Sequence, residues 1–155
     1  VGRASTKKNL EAVLAFPNPG YRLVVCGGAR ELPRPTINLG VIPHARMPLL
    51  YRACDFMIHA ATGEGFPVAI QEAMACGLAV AVVWDAGYRG AVAREAVAAA
   101  NDLESLARVS QRLATDATHR KAVGAEGFQH ARDHYSWRRT VERYLDLFDG
   151  LVEAA

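Results

Sequence analysis

Residues 55–83 read DFMIHAATGEGFPVAIQEAMACGLAVAVV, and this stretch carries the strongest indication of the fold class. Two apolar runs, Asp55–His59 and Leu78–Val83, stand at its ends, and a segment with helix signals lies between them. Both runs are apolar throughout instead of alternating, which is typical of strands that are covered on both faces. A strand, a helix and a second strand in this order predict an α/β fold, with a parallel sheet and helices on both faces.

The middle of the stretch places two carboxylates around the start of the helix. Pro67 suits the first helical position, where its missing N–H costs nothing, and Gly77 suits the left-handed cap that ends a helix. Glu64 precedes the helix, whereas Glu72 lies within it among small apolar residues, where an ionised carboxylate needs partners. Free amides at the helix start favour phosphate or sugar oxygens. The two acids could therefore reach different parts of one extended ligand.

The preceding residues repeat the alternation of strands and helices. Apolar runs and turn signals predict a helix, a strand, a strand with a turn, and a second helix, at Asn9–Phe16, Tyr21–Cys26, Ile37–Ile42 and Leu49–Ala53. In doubly wound sheets, ligands bind beyond the carboxyl ends of the strands. We expect the loops that follow strands to meet at one edge: the loop of Arg3, the turn Gly27-Gly28, the turn of Val41 and the loop of Glu64.

Beyond Trp84 the sequence predicts helices. They are expected at Ala91–Ala99, Leu103–Ala114, His119–Asp133 and Trp137–Val152. The last of them forms a C-terminal helical segment, residues 136–155, which Tyr135 and Trp137 are expected to anchor. No fixed-period repeat is present, so residues 1–155 are predicted to form a single domain.

Composition narrows the class of protein. A hydrophobic content of 51% and a charged content of 22% are those of a globular protein. A net charge of +2 with scattered Lys and Arg argues against a nucleic-acid partner. Cys26, Cys54 and Cys76 lie in apolar contexts, which indicates reduced thiols in a cytoplasmic protein. No apolar run approaches the ~20 residues of a membrane span. Val1-Gly2-Arg3 resembles the end of a strand, so we expect the chain to be cut from a longer one.

Three stretches carry a resemblance to a known family. They are VGRASTKKN at the start, INLGVIPHARMPLLYRACDFMIHAATGEGFPVAIQEAMACGLAVAV in the middle, and YSW before the last helix. Over essentially its whole length, the chain resembles the C-terminal domain of group 1 (family four) retaining glycosyltransferases. These enzymes have the GT-B architecture, in which two Rossmann-like domains enclose the active site. The most specific part of the resemblance is the E-x7-E motif, from Glu64 to Glu72.

The resemblance implies a site for a nucleoside diphosphate sugar, with UDP-, GDP- and ADP-sugars left open as donors. Arg3 and Lys8 match the cations that bind the donor diphosphate in the family, and Lys7 could substitute for Lys8. Glu64 matches the residue that contacts the transferred sugar. Arg3, Lys8 and Glu64 are thus the implied catalytic residues. No metal is implied, and the sequence contains no Asp-x-Asp pair or His/Cys ligand cluster.

The implied donor-binding residues surround the start of the same helix. They are Val41, Gly65, Phe66, Pro67, Val68 and Glu72. Glu72 matches the ligand of the ribose hydroxyls, a role that suits a carboxylate because it accepts hydrogen bonds. Val41 matches a turn that recognises the base through its backbone, so we expect its side chain to lie in the core.

Departures from the family limit what the chain is expected to do. Pro67 stands where Gly is common, and Trp84–Tyr88 replaces a Gly-Gly loop on the acceptor side. We expect the N-terminal domain to be missing, so that the isolated chain binds donor weakly and transfers nothing. The implied partners are that domain and an acceptor sugar or lipid-linked glycan. A cytoplasmic location is expected, and peripheral contact with the inner membrane surface stays open.

Other interpretations stand beside this one. The fold and site also fit a nucleotide-sugar epimerase of GT-B architecture, or a non-catalytic nucleotide-binding module. Glu72 could be an ordinary surface residue, and Glu64 could only complement the helix dipole. Arg3 and Lys8 could be solvated surface charges. His59, on a buried strand, is expected to be a hydrogen-bonded core histidine and not a catalyst.

Overall fold

The computed structural model describes residues 8–17, 21–28, 32 and 35–153 of the chain. Five strands are described: β1 Val24–Val25, β2 Ile37–Asn38, β3 Phe56–His59, β4 Ala79–Val83 and β5 Ala98–Ala100. Six α-helices accompany them: α1 Leu10–Leu14, α2 Met47–Ala53, α3 Val68–Ala75, α4 Leu103–Thr115, α5 Ala117–His134 and α6 Trp137–Glu153. Short 3₁₀ turns lie at His44–Arg46, Ala86–Tyr88 and Arg94–Ala96.

All described strand pairs are parallel. β3, β4 and β5 form one sheet in that order, with Phe56 opposite Ala79 and Ala81 opposite Ala98. β1 and β2 form a separate pair, and a cavity of about 500 Å³ lies between β1 and β3. The parallel α/β architecture predicted from the apolar runs is confirmed, although the strands at Tyr21–Cys26 and Ile37–Ile42 are shorter than predicted.

The central strand β4 explains why its sequence is apolar throughout. All five of its residues are buried, and their side chains alternate between two cores. Val80 and Val82 join the core beneath α2 and α3, whereas Ala81 and Val83 join the core beneath α4. Because both faces are covered, neither set can be polar, which gives the continuous apolar run expected for a doubly covered parallel strand.

The predicted helix at Ala91–Ala99 is wrong. Its residues form a 3₁₀ turn at Arg94–Ala96 and then strand β5, which pairs with β4. Alanine has a high helix propensity, but here tertiary structure overrides it, because residues 98–100 pair with β4 and are buried beneath α4. A Cβ added to Gly127 of α5 would lie 2.9 Å from the Ala96 carbonyl oxygen. Helix α5 therefore packs directly against the 3₁₀ turn that precedes β5.

Helix α3 begins and ends through identifiable backbone features. Pro67 is its N-cap, with φ −64° and ψ 136°, so the prediction that Pro67 takes the first helical position is displaced by one residue. At the other end, Gly77 has φ +76°, its N–H bonds to the Met74 carbonyl, and the Leu78 N–H bonds to the Ala73 carbonyl. This is a Schellman cap. The caps fix the helix that Glu64 precedes and that contains Glu72.

The last helix, α6, lies within the predicted terminal segment 136–155 and presents an apolar face to solvent. Its exposed large side chains are Trp137, Val141, Tyr144, Leu145, Leu147, Phe148, Leu151 and Val152. Trp137 therefore does not anchor the helix, whereas the Tyr135 hydroxyl donates to the Ala91 carbonyl at 2.6 Å. Within the described residues, every helix is too short or too polar to cross a membrane.

Candidate active site

The loop after β3 carries Glu64 into a charged cluster. One carboxylate oxygen, Oε1, lies 2.6 Å from Lys8 Nζ, and both side chains are about a quarter exposed. Asn9 holds the Lys8 segment against this loop, because its Nδ2 donates to the Ala60 carbonyl at 2.8 Å. The hydrogen bond from Lys8 holds the pKa of Glu64 below its ordinary value. Glu64 and Lys8 therefore form an ion pair at neutral pH.

His59 lies beneath this pair, at the end of β3. Its side chain is 4% exposed, and its Nε2 lies 3.5 Å from Glu64 Oε2, which is longer than a normal hydrogen bond. Burial, reinforced by the charge of Lys8, lowers the pKa of His59 to about 4. A neutral imidazole therefore faces the ion pair at pH 7. The expectation of a core histidine agrees with this burial, but its expected hydrogen bond is not formed.

Glu72 is held by a different set of partners. The Tyr51 hydroxyl donates to Oε2 at 3.0 Å, and His44 Nε2 lies 2.7 Å from Oε1. Tyr51 is 2% exposed, whereas the side chain of His44 is 85% exposed. The carboxylate thus has one oxygen turned to the core and one turned to an exposed imidazole. This arrangement supplies the polar partners that an acid in an apolar context requires.

A turn after β4 braces the Glu64 loop from the other side. Asp85 accepts hydrogen bonds from the Gly63 N–H, at 2.7 Å, and from the Gly87 N–H, at 2.9 Å. These two bonds lower the pKa of Asp85. Gly87 packs so closely that an added Cβ would lie 2.6 Å from the Glu64 carbonyl oxygen and 2.9 Å from Gly65 Cα. The backbone that carries Glu64 is therefore fixed by contacts with residues 85–87.

Aromatic packing supports the start of α3. The ring of Phe66 lies 5.6 Å from that of Tyr88 and 5.4 Å from that of Tyr135, between centroids. Gly65 and Val68 are exposed, and Phe66 and Pro67 are half-buried. The exposed backbone at Gly65 and the first turn of α3 thus rest on a rigid aromatic layer.

The structure brings together most, but not all, of the predicted site residues. Lys8 and Glu64 are in contact, and Glu72 lies on the helix that Glu64 precedes. Arg3 lies outside the described residues. Val41 follows the Gly40 turn, whose carbonyl accepts from the Gly27 N–H at 2.7 Å. The side chain of Val41 is 80% exposed, so the expectation that it lies in the core is wrong. It belongs to a loop between β2 and α2 that no described helix covers.

Sequence reasoning missed three residues of the site: His44, Tyr51 and Asp85. His44 and Tyr51 are seven residues apart, about two helical turns, so they share one face of the segment that includes α2. This spacing could have indicated a common partner, but nothing in the sequence indicates that the partner is Glu72. Asp85 braces a loop more than twenty positions earlier in the chain, and no local pattern predicts that contact.

A cavity adjoins this site and shares residues with it. The cavity between β1 and β3 is lined by Lys8, His59 and Tyr51 among others, but Glu64 and Glu72 do not line it. Within residues 8–17, 21–28, 32 and 35–153, no three His, Cys, Asp or Glu side chains are grouped as a metal site would require.

Comparison with known proteins decides the family. A family model described as "Glycosyl transferases group 1" matches residues 1–130. The chain belongs to the group 1 glycosyltransferases. This match covers β1 to β5 and both carboxylates of the E-x7-E motif. It includes the first two of the three stretches that carry the resemblance and ends before the third, YSW at residues 135–137.

Relatives of this glycosyltransferase chain agree with that assignment. It is 33% identical to a D-inositol 3-phosphate glycosyltransferase of Salinispora tropica, over 84% of the chain and 31% of the relative. A sucrose-phosphate synthase structure from Thermosynechococcus elongatus matches with a TM-score of 0.86 and 23% identity, over 100% of the chain and 45% of that protein. Anabaena HepE, solved in complex with UDP-glucose, matches with a TM-score of 0.80 and 19% identity, over 96% of the chain and 47% of HepE. The group 1 chain thus has a Rossmann-like fold and spans about a third of its curated relative.

Proposed function

We propose that this chain is the donor-binding domain of a retaining glycosyltransferase, which transfers a sugar, expected to be a hexose, from a nucleoside diphosphate sugar to an acceptor. One observation carries the proposal. The two acids of the E-x7-E motif flank the first turns of α3, and each is held by its own partners: Glu64 by Lys8, and Glu72 by Tyr51 and His44. Such an arrangement fits one extended ligand that has hydroxyl groups at two positions and an anionic group between them.

The diphosphate would bind near Lys8 and the start of α3. An ammonium group has three N–H donors, so Lys8 can contact a phosphate oxygen while it retains its bond to Glu64. Arg3 would supply a second cation, and the first backbone amides of α3 would add positive potential. These groups stabilise the diphosphate as negative charge develops on it during departure from the sugar. In this proposal the protein needs no metal ion for that step.

The two carboxylates would divide the hydroxyl groups of the donor between them. Glu72 would accept hydrogen bonds from the ribose, and Glu64 would orient the transferred sugar beside the backbone of Gly65 and Phe66. Pro67 and Val68 would border the ligand at the start of α3, and the backbone of Val41 would meet the base. In the relatives, HepE has been solved with UDP and with UDP-glucose, and we extend a nucleoside diphosphate sugar to this chain on family grounds.

The acceptor would be held by a second domain. We propose that residues 1–155 form one nucleotide-sugar-binding domain, that an N-terminal domain of the intact protein binds an acceptor sugar or lipid-linked glycan, and that transfer takes place in the cytoplasm or at the inner membrane surface. The relatives are about three times as long as the part this chain matches, which leaves room for such a domain. Alone, the chain is expected to bind donor and to transfer nothing.

Titration calorimetry of the purified chain with UDP, GDP and ADP tests the proposal. We expect one of the three to bind, because a fixed cation, a helix start and an acceptor carboxylate are in place for it. The nucleoside of each diphosphate, without phosphate, serves as its control for binding of the base and ribose alone. If none of the three diphosphates binds at millimolar concentration, the donor-site assignment is wrong and a non-catalytic module becomes the better description.

A further inference from the structure

The side chain of Tyr51 has one polar atom, its hydroxyl oxygen, and this hydroxyl donates a hydrogen bond to Glu72. Its ring is packed in the core with Met57, Ile70 and Met74, and its hydroxyl donates to Glu72 Oε2 at 3.0 Å. Although Tyr51 also borders the cavity between β1 and β3, it is only 2% exposed, and its packing in this core together with the hydrogen bond restricts where its hydroxyl can lie. The Glu72 side chain is only 27% exposed, and its hydrogen bond with the Tyr51 hydroxyl restricts the orientation of its carboxylate.

We propose that Tyr51 is a positioning residue, which orients the Glu72 carboxylate toward the ribose hydroxyls of the donor. The proposal rests on the proposed function and adds to it a residue that does not itself touch the donor. Its hydroxyl occupies Oε2, the oxygen on the core side. Oε1 is then the oxygen that is presented outward, where the exposed His44 now contacts it.

The protonation of the Tyr51 hydroxyl supports the assignment of Oε2 to Tyr51 and of Oε1 to the ribose. Burial, together with the hydrogen bond to Glu72, holds the pKa of Tyr51 well above its ordinary value. The hydroxyl is therefore protonated at neutral pH and acts as the donor, while the carboxylate acts as the acceptor. An arriving ribose hydroxyl can donate to Oε1 by displacing His44, whose exposed side chain is easily moved, or by using the free lone pair of that oxygen.

Replacement of Tyr51 by Phe tests this assignment, because it removes the hydroxyl and keeps the ring. Affinity is measured for the diphosphate that binds best among UDP, GDP and ADP, and for the 2′,3′-dideoxy form of the same diphosphate. We expect Tyr51→Phe to weaken the ribose form about three- to tenfold, the scale of one hydrogen bond, and to leave the dideoxy form unchanged. In a Glu72→Gln background, Tyr51→Phe should cause no further loss of discrimination between the two forms.

Tyr135→Phe is the matched control. It removes a hydroxyl that also donates to a single partner, the Ala91 carbonyl at 2.6 Å, but that partner lies in the loop after β4 and not at Glu72. It should lower the melting temperature without a selective effect on the ribose form. Equal weakening of both forms by Tyr51→Phe, or no weakening of either, would overturn the assignment of Tyr51.

The outcomes separate this proposal from the proposed function. If the unaltered chain binds none of the three diphosphates, the donor site and the role of Tyr51 both fail. If it binds and prefers the ribose form, but Tyr51→Phe does not change that preference, only the role of Tyr51 fails. A structure of the unaltered chain with bound diphosphate is a second measurement that needs no variant. The Tyr51 hydroxyl should remain about 3 Å from Glu72 Oε2 and out of contact with the ribose.

Discussion

The two ends of the E-x7-E motif differ in how their carboxylates are held. Glu64 pairs with a cation, Lys8, above a buried neutral histidine, whereas Glu72 accepts from a neutral tyrosine and contacts an exposed histidine. The two acids are almost equally exposed, at 26% and 27%. The difference is therefore one of partners and not of burial. In the proposed function, the Glu64 end would stabilise the charge of the diphosphate, and the Glu72 end would bind hydroxyl groups.

Among the substitutions considered, removal of the Lys8 cation should have the largest effect on nucleoside diphosphate affinity. Lys8→Met is expected to weaken nucleoside diphosphate binding about 100-fold, because it removes a charge-assisted contact and leaves Glu64 as an uncompensated negative charge beside the phosphates. Lys7→Met is the control, since it removes the same charge one position earlier. It should change the dissociation constant by no more than about threefold. Titration calorimetry distinguishes the two, and a larger effect of Lys7→Met would move the phosphate contact to that residue.

Removal of each carboxylate in turn should distinguish the role of Glu72 in nucleotide binding from the role of Glu64 in turnover. Glu72→Ala is expected to weaken nucleoside diphosphate affinity by about 1–3 kcal/mol, the scale for loss of a charged hydrogen-bond partner. Glu64→Ala should leave that affinity nearly unchanged and instead depress turnover in the longer protein. Calorimetry and initial rates measure the two effects. The opposite pattern would reverse the division of roles between the acids.

A methyl group at Gly87 should destabilise the fold, because it collides with the backbone of the loop that carries Glu64. The Cβ of Gly87→Ala would lie 2.6 Å from the Glu64 carbonyl oxygen, so the backbone must shift, at a cost of about 1–2 kcal/mol in the free energy of unfolding. Gly150→Ala, in the exposed helix α6 where an added Cβ meets nothing within 4 Å, is the control and should be neutral or stabilising. Urea denaturation measures both. Equal stability of the two variants would contradict the close contact between residue 87 and the Glu64 loop.

The neutral state of His59 predicts a smaller, pH-dependent effect. Its pKa in the folded chain is about 4, below the ordinary value of 6.5, so the unfolded chain binds more protons between these two values. Stability from this residue is thus complete above pH 6.5 and is lost as the pH falls toward 4, by about 1 kcal/mol or more between pH 7 and 5. His59→Gln should reduce this slope, whatever its effect on absolute stability. Urea denaturation at several pH values measures it, and an unchanged slope would show that His59 is not held neutral.

The sequence predicted the fold where local pattern and packing agree. The apolar runs that became β3 and β4 lie between two cores, and Gly77 forms the predicted cap of α3. It failed at Ala98–Ala100, because alanine favours helices locally while pairing with β4 and burial beneath α4 select a strand. Of the candidate site, Glu64 and Glu72 were predicted from the E-x7-E motif, and Lys8 was predicted from the family resemblance. Tyr51 and Asp85 were not, since they meet their partners only after α2 and the turn at residues 85–87 pack against α3 and its preceding loop.

A structure of the chain with its preferred nucleoside diphosphate sugar would show how the donor lies between the two acids. We expect the ribose hydroxyls to lie within hydrogen-bond distance of Glu72, a phosphate oxygen to contact Lys8, and the transferred sugar to lie beside Glu64. A ligand bound with its ribose at Glu64 and its sugar at Glu72, or bound away from both acids, would contradict this expectation.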